Sequence, residues 1–369
     1  MKFKRAFLCL LLAITLLALC ACAGATQKED SSQVFSSDAE NTSSESAGDN
    51  SSSESAGEDN GLGNEMRVHF LDVGQGDSIF IELPNGECML IDASERAAAG
   101  DIVSFIDCLG YKKIDHLIAT HPHADHIGGM KIVIEHFELG EVYMPEAITD
   151  TKTFINLLET IDGKGASITP VKAGLEVDFG GAKGVFVAPS TIVDDMNNCS
   201  AVLHLTYGQR SFLLTGDAEI EEESTITANV KCDVLKAGHH GSSTSSGELL
   251  LKNAKPSVVV ISCGEGNSYG HPHKEALDRF ESAGITEIYR TDISGTVSIT
   301  TNKSTLEITE GTKCAEHKYV LNFSTKKIHL PSCESAVEMK ESNRAYTVRE
   351  LDELQKYGYA SCSRCKAGE

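Results

Sequence analysis

The feature that most constrains this chain is a loop of six residues, 121–126, that reads His-Pro-His-Ala-Asp-His. Neutral imidazole and carboxylate groups are the ligands that proteins use for Zn and related divalent metals. The spacing lets His121 and His123 converge on one ion, while Asp125 and His126 turn toward a neighbouring ion. The apolar run before the loop predicts a short buried strand. The sequence therefore predicts a metal centre at the C-terminal end of a strand.

Other polar residues end apolar runs that also predict strands. Asp92 ends one such run, Asp217 ends a second, and the pair His239-His240 follows a third. A carboxylate at a strand end, as at Asp217, is free to bridge two ions. Strand and helix patterns alternate over the predicted domain 65–310, which favours an α/β fold. We expect an αββα sandwich, with two mixed sheets packed face to face and helices outside.

Five segments in this order carry a resemblance to a known family. They read Leu-Asp-Val-Gly-Gln-Gly-Asp at 71–77, Asn-x-x-Ser at 197–200, Leu-Thr-Gly-Asp at 214–217, Leu-Lys-Ala-Gly-His-His-Gly-Ser at 235–242 and Tyr-Gly-His-Pro-His at 269–273. The loop at 121–126 resembles the metallo-β-lactamase superfamily signature. Together they resemble the C-terminal metallo-β-lactamase-like domain of ComEC competence proteins over about 66–302. The resemblance implies a metal-dependent hydrolase, with nuclease or phosphodiesterase activity as the usual proposal. It does not transfer the DNA-transport role.

The resemblance also implies roles for the candidate residues, around two divalent ions, Zn or Mn. The implied metal ligands are His121, His123, Asp125, His126, Asp217 and His239. His240 would face the substrate, although His239 and His240 could exchange roles. Asp125 would also orient the attacking hydroxide, and Asp92 would hold the histidine loop by hydrogen bonds. His271 could contact a phosphate or act as a general acid, or could only begin a helix.

The chain departs from the family pattern at one metal ligand. Most members place a further histidine between the loop and the Gly-Asp strand, where this chain has Asn-Asn-Cys-Ser at 197–200. The interval offers only His136, in a predicted helix, and His204, in mid-strand. We therefore expect the ion at His121 and His123 to be held more weakly than the ion at Asp125 and His126.

The N-terminus has the pattern of an export signal. A basic start and an uncharged apolar run, 6–21, precede Cys22 in a segment that resembles a bacterial lipobox. This predicts a signal peptide over 1–22, lipidation of Cys22 and an extracytoplasmic protein anchored to the membrane; an uncleaved anchor is the alternative. Residues 23–64 are rich in Ser, Glu and Asp, which predicts a disordered tether.

The C-terminal segment 316–367 predicts a small metal-binding module. It resembles the zinc-binding module of the Ada repair protein, with one structural Zn held by His329, Cys333, Cys362 and Cys365. In that family the first ligand is usually cysteine, whereas here it would be His329. The resemblance therefore does not imply the repair chemistry, which needs a thiol at this position. A Cys362–Cys365 disulfide is the rival interpretation. Most other cysteines lie in apolar runs and are expected in the core.

Three functions are compatible with these patterns. The first is an exported hydrolase of phosphodiesters, with nucleic acid as a candidate partner. The second is hydrolysis of another cell-surface ester, such as teichoic acid phosphocholine, or of a lactam. The third is a non-catalytic protein that binds DNA or a surface ligand. The net charge of −22 argues against tight non-specific binding of nucleic acid, since Lys and Arg supply most phosphate affinity. Protein partners are not predicted.

Overall fold

The computed structural model describes residues 63–313 and 317–368. The predicted signal segment with Cys22 and residues 23–62 of the predicted tether lie outside the described residues. Within the described ranges, no helix combines the length and the apolar character that crossing a membrane requires.

The strands are Met66–Phe70 (β1), Ile79–Glu82 (β2), Cys88–Ile91 (β3), Lys113–Ile118 (β4), Glu138–Pro145 (β5), Ile168–Val171 (β6), Glu176–Phe179 (β7), Ala182–Ala188 (β8), Val202–Tyr207 (β9), Arg210–Leu214 (β10), Val234–Lys236 (β11), Val258–Ile261 (β12), Glu287–Arg290 (β13), Val297–Thr301 (β14), Glu307–Glu310 (β15), Tyr319–Asn322 (β16), Lys327–His329 (β17), Arg344–Thr347 (β18) and Ala360–Ser361 (β19). The α-helices are Ala99–Cys108 (α1), Ala124–Ile127 (α2), Met130–His136 (α3), Lys152–Lys164 (α4), Ile220–Glu223 (α5), Glu248–Ala254 (α6), Lys274–Ser282 (α7), Thr291–Ser294 (α8), Glu334–Val337 (α9) and Leu351–Lys356 (α10).

Two mixed sheets form the body of the molecule. The first has the spatial order β15-β14-β1-β2-β3-β4-β5-β6, and the second has the order β13-β12-β11-β10-β9-β8-β7. In each sheet, four neighbouring strands are parallel: β3 to β6 in the first, and β10 to β13 in the second. Parallel strands covered on both faces consist of continuous apolar runs, as in the fully buried Val258–Ile261.

Three layers of apolar contact hold the sheets and helices together. One buried cluster joins side chains of both sheets, including Phe70 and Phe212, so the sheets pack face to face. A second covers the outer face of the first sheet with α1, α3 and α4. A third covers the outer face of the second sheet with α6 and α7. This arrangement confirms the predicted αββα sandwich.

The longest helix, α4, shows how the sequence sets the bounds of an element. The Thr151 side chain accepts a hydrogen bond from the backbone N–H of Phe154 and so caps the N-terminus. The helix ends at Gly165, whose φ of 70° is a left-handed conformation that glycine adopts without steric cost.

The C-terminal segment folds as a four-stranded sheet, in the order β18-β16-β17-β19. It packs on α1, where the backbone N–H of Tyr346 donates to the Ser104 hydroxyl over 2.8 Å. Arg349 forms a buried ion pair with Asp107, with 2.6 Å between Nε and Oδ1. Leu321 and other apolar side chains of the segment belong to the same buried cluster as α1. The segment is therefore packed into the outer layer of the αββα sandwich.

Candidate active site

Four potential metal ligands meet where strands of both sheets end. They are Asp125, His126, Asp217 and His240, and their ligand atoms all lie within 4.8 Å of one another. Asp125 and His126 lie on α2, after β4, while Asp217 follows β10 and His240 follows β11. Because these parallel strands end at the same edges, residues far apart in sequence come together. We call these four residues the quartet.

The aspartate that follows β10 lies at the centre of the quartet. Asp217 Oδ2 is 3.1 Å from His126 Nε2 and 3.3 Å from His240 Nε2. Asp125 Oδ2 lies 3.4 Å from the same His240 nitrogen. The His126, Asp217 and His240 side chains are buried, whereas Asp125 is 28% exposed and opens the group to solvent.

The polar atoms at this centre fit a divalent cation. His126 Nε2, His240 Nε2 and Asp217 Oδ1 are buried, and none of them makes a hydrogen bond. Buried polar atoms are nearly always hydrogen-bonded, so three partnerless atoms directed into one place indicate a missing ligand. Imidazole and carboxylate together suit Zn, Mn or a related ion.

Each quartet histidine has a buried acceptor and a buried carboxylate at its other ring nitrogen. His126 Nδ1 lies 2.7 Å from Asp92 Oδ2, which also accepts the Thr120 hydroxyl over 2.6 Å. His240 Nδ1 lies 3.1 Å from the Ser262 carbonyl oxygen, and Asp77 Oδ1 is 3.2 Å from the same nitrogen. Acceptors in these positions fix the tautomer, so that Nε2 is left free for a metal. The structure therefore places Asp92 in the orienting position inferred for it from the sequence.

Sequence reasoning missed the second orienting group, Asp77, and its partner Lys236. Asp77 lies on the Gly-rich turn of the segment 71–77. Its Oδ2 is 2.6 Å from Nζ of Lys236, a fully buried side chain on β11. The available signal was a lysine that ends an apolar run, since buried lysines are rarely unpaired.

The charges around the quartet shift its ionisation. Burial alone lowers the pKa of His240, but Asp217 and Asp77 outweigh it and hold this pKa well above its ordinary value. Burial likewise lowers the pKa of His126, and Asp217 and Asp92 raise it well above the usual range. Burial raises the pKa of Asp125, but the nearby His240 ring and the charge of His126 bring it to about 2. The carboxylates therefore stay ionised and available as ligands.

The structure distinguishes the two adjacent histidines whose roles the sequence left open. His239 is 25% exposed, its Nε2 is 3.7 Å from Asp217, and its Nδ1 lies 3.0 Å from Glu219 Oε1. Both histidines have positive φ, 46° and 54°, a conformation uncommon for residues other than glycine. This backbone turns His240 inward and leaves His239 at the cleft edge. The geometry therefore favours His240 over His239 as the candidate ligand.

The other two histidines of the loop form a sparser group. His121 Nε2 lies 3.0 Å from His123 Nδ1 and 3.9 Å from Asp217 Oδ2. In place of a further histidine, the Ser200 hydroxyl lies 3.3 Å from His121 Nδ1. His136 pairs with Asp107, and His204 donates to a backbone carbonyl, so neither of these approaches the loop. Among the described residues, this position has three candidate ligands and lacks a fourth.

A cleft of about 330 Å³ opens over the quartet. It is lined by Gln75, His123, Ala124, Asp125, Asn197, Asp217, His239, His240, Tyr269 and His271. No serine, cysteine, lysine or arginine is among these lining residues. The lining therefore offers no serine, cysteine or lysine nucleophile.

His271 lies in the cleft wall, outside the quartet. Gln75 Oε1 accepts from the Gly264 backbone N–H, so Gln75 Nε2 is directed at His271 Nδ1, 3.5 Å away. His271 Nε2 then carries the proton. Burial, with the charges of His240 and His273, lowers the pKa of His271 to about 4. The ring is neutral near pH 7, so its Nε2–H can donate a hydrogen bond into the cleft.

A second ligand cluster lies in the C-terminal sheet. His329, Cys333, Cys362 and Cys365 offer ligand atoms within 4.8 Å of one another, and the first three are buried. This donor set fits a tetrahedral ion such as Zn. Cys88, Cys199, Cys232 and Cys263, which were expected in the core, are buried and free, and the three cysteines of the cluster are free as well. Cys362 and Cys365 therefore do not form the rival disulfide.

Comparison with known proteins agrees with this geometry. Residues 71–265 match the metallo-beta-lactamase superfamily. The chain is 31% identical over 257 residues to ComE operon protein 3 of Bacillus subtilis, covering 64% of this chain and 33% of that protein. It is also 31% identical over 252 residues to Recombination protein 2 of Haemophilus influenzae, covering 66% of this chain and 30% of that protein.

The chain thus spans about a third of the length of these curated relatives. Among solved structures, the metallo-beta-lactamase fold protein YhfI from Bacillus subtilis aligns with 61% of this chain and 95% of its own, at 16% identity and a TM-score of 0.44. The family match covers more than half of this chain. The chain therefore belongs to the metallo-beta-lactamase superfamily, as a metal-dependent hydrolase with relatives among the competence proteins.

Proposed function

We propose that this protein hydrolyses phosphodiester bonds, with nucleic acid among its substrates. The observation that carries the proposal is the set of partnerless His126, His240 and Asp217 atoms beneath an open cleft. Recombination protein 2 and Competence protein ComA of Neisseria gonorrhoeae, the latter 31% identical over 240 residues, have names that refer to recombination and competence, which supports a nucleic-acid substrate. Two divalent ions, Zn or Mn, are expected, one at the quartet and one at the sparser His121 and His123 position.

The chain's own residues would divide the work of hydrolysis between them. Divalent ions held by the quartet and by His121 and His123 would supply Lewis acidity and would lower the pKa of water toward about 7. Asp125 is ionised and partly exposed, so it can accept a hydrogen bond from the attacking water and orient it. His271 can donate from Nε2 to a phosphoryl oxygen, and Asn197 offers an amide on the facing wall.

We further propose that the hydrolase acts outside the cytoplasm, anchored through a lipidated Cys22 or through an uncleaved signal anchor. Cys108 is disulfide-bonded, and disulfides persist mainly in oxidising compartments, which supports export. One structural Zn held by His329, Cys333, Cys362 and Cys365 would stabilise the C-terminal sheet.

Turnover by the purified full-length chain, loaded with Mn or Zn, tests the proposal. The substrates are bis-p-nitrophenyl phosphate, single-stranded and double-stranded DNA, p-nitrophenyl phosphocholine and nitrocefin. We expect cleavage of bis-p-nitrophenyl phosphate and of DNA, with loss of activity in Asp217→Asn. Turnover of p-nitrophenyl phosphocholine or nitrocefin alone would favour the other ester or the lactam. Absence of any turnover by the metal-loaded protein would contradict the proposed hydrolase activity.

A further inference from the structure

An aromatic side chain stands exposed at the mouth of the cleft. Tyr269 is 64% exposed, although large apolar rings are usually covered. It lines the same cleft as the metal ligands Asp125 and His240. Its position beside the reactive centre, and not elsewhere on the surface, suggests a use in substrate binding.

The Tyr269 ring continues a row of rings that starts at the quartet. His271 lies between the two ends, with its ring centroid 6.0 Å from that of His240 and 5.6 Å from that of Tyr269. The planes of Tyr269 and His271 are inclined by only 21°, an offset stack. The cleft therefore has a flat aromatic wall that leads from the metal ligands to solvent.

The loop that carries this wall is fixed by side-chain hydrogen bonds. Asn267 Nδ2 donates to the carbonyls of Gly264 and His271, over 2.9 and 2.7 Å, and Asn267 Oδ1 accepts from the His271 N–H. His273 Nε2 donates to the Tyr269 carbonyl over 3.0 Å. A ring held in place before binding loses little conformational entropy when a ligand stacks on it.

The charge of the protein explains why stacking is needed. The chain carries a net charge of −22, and no lysine or arginine lines the described cleft. Lys and Arg contacts with phosphate, which supply most nucleic-acid affinity in other proteins, are thus absent from this cleft. A nucleotide would then be held by the metal centre at its phosphate and by an aromatic surface at its base.

We propose that Tyr269 and His271 form a subsite for the planar base of a nucleotide whose phosphate lies at the quartet. The proposal rests on the phosphodiesterase function proposed above and deepens it. A base in a duplex is stacked on both sides, so it cannot reach Tyr269. The enzyme should therefore prefer single strands or frayed ends.

Two matched strands test the subsite by turnover. One is single-stranded hexathymidylate, and the other is the same strand with every base replaced by tetrahydrofuran. In metal-loaded full-length protein, Tyr269→Ala should raise KM for hexathymidylate roughly tenfold and leave the abasic strand unchanged. Tyr269→Phe should restore wild-type KM because the ring remains. Ile293→Ala, which removes a side chain that is 73% exposed and lies outside the cleft lining, is the control for surface truncation.

Equilibrium binding separates this proposal from the proposed hydrolysis. Calorimetry with thymidine 5′-monophosphate and 2-deoxyribose 5-phosphate needs no turnover. We expect wild type to bind the nucleotide roughly tenfold more tightly than the sugar phosphate, and Tyr269→Ala to lose this difference. Equal affinities in wild type, or a difference that survives in Tyr269→Ala, would overturn the subsite even if the enzyme cleaves DNA. Binding without cleavage would uphold the subsite and contradict the phosphodiesterase.

Discussion

At the residue scale, the adjacent histidines 239 and 240 have different environments. His240 is buried with Nε2 against two carboxylates, whereas His239 is partly exposed and paired with Glu219. We expect His240→Ala to lose the metal at the quartet and to lower kcat by at least 100-fold. Water in place of the His240 imidazole would not preserve the coordination geometry of the ion. His239→Ala should retain the metal.

Elemental analysis of both variants, after dialysis against a buffer without metal, measures this difference. Circular dichroism of each variant checks that the fold is intact. Equal metal content in the two variants, or a larger loss in His239→Ala, would contradict the assignment of His240 as the ligand.

A buried carboxyl outside the quartet predicts a pH dependence of stability. Burial raises the pKa of Glu223 from 4.5 to about 7, although backbone N–H groups of Gly247 and Ser246 lower it. Between these values the folded state keeps a proton that the unfolded state has lost. The free energy of unfolding should therefore fall as the pH rises from about 4.5 to about 7, by on the order of 3 kcal/mol.

Urea denaturation at about pH 5 and about pH 8 measures this fall. The matched variant Glu223→Gln has no charge at either pH, so the fall should be smaller in the variant by the amount given above. Identical changes in both proteins would show that another group is responsible.

At the scale of the element, strand β11 carries a charged side chain into the core. Lys236 Nζ contacts Asp77 Oδ2 at 2.6 Å and donates to the Gly216 carbonyl over 3.3 Å. Lys236→Met leaves the Asp77 carboxylate buried without its cation, which should lower the free energy of unfolding by about 3–5 kcal/mol. It should also weaken metal binding, since Asp77 orients His240.

A double substitution provides the control for the lost ion pair. Lys236→Met with Asp77→Asn removes both charges, so chemical denaturation should find it more stable than Lys236→Met alone. If the decreases in the free energy of unfolding caused by Lys236→Met and by Asp77→Asn alone simply add in the double variant, the ion pair does not hold β11 to the Gly-rich turn.

At the scale of the whole molecule, close packing joins the C-terminal sheet to the hydrolase fold. A Cβ placed on Gly100 of α1 would lie 1.8 Å from the carbonyl oxygen of Arg344. Gly100→Ala should therefore destabilise the protein by about 1–3 kcal/mol and increase hydrogen exchange in β18. Gly163, in α4, has no atom within 4 Å of such a Cβ, so Gly163→Ala should be neutral or stabilise by about 0.4–1 kcal/mol.

Hydrogen exchange followed by mass spectrometry reports both effects. Because alanine favours helix over glycine at either position, only the contact with Arg344 distinguishes the two variants. Unchanged exchange in β18 of Gly100→Ala would indicate that the sheet is not fixed to α1 at this point.

The sequence predicted the site as far as local patterns reach. The histidine loop, Asp92 and Asp217 were recognised because each follows an apolar run that ends in a ligand type. The order of His239 and His240 was not predictable, because it depends on two successive left-handed backbone conformations. Lys236 was missed because its partner, Asp77, lies on a turn far away in the sequence.

The sequence by itself determined the chemistry of this protein: the kinds of ligand, the strand ends that present them and the superfamily. Local spacing is enough for this, since strand periodicity and ligand type are properties of short segments. Only the tertiary structure decided which histidine faces the metal, which carboxylates orient it, and that the C-terminal sheet shares a core with α1. These features depend on distances between residues far apart in the chain, which are set by the packing of the two sheets and the helices against them.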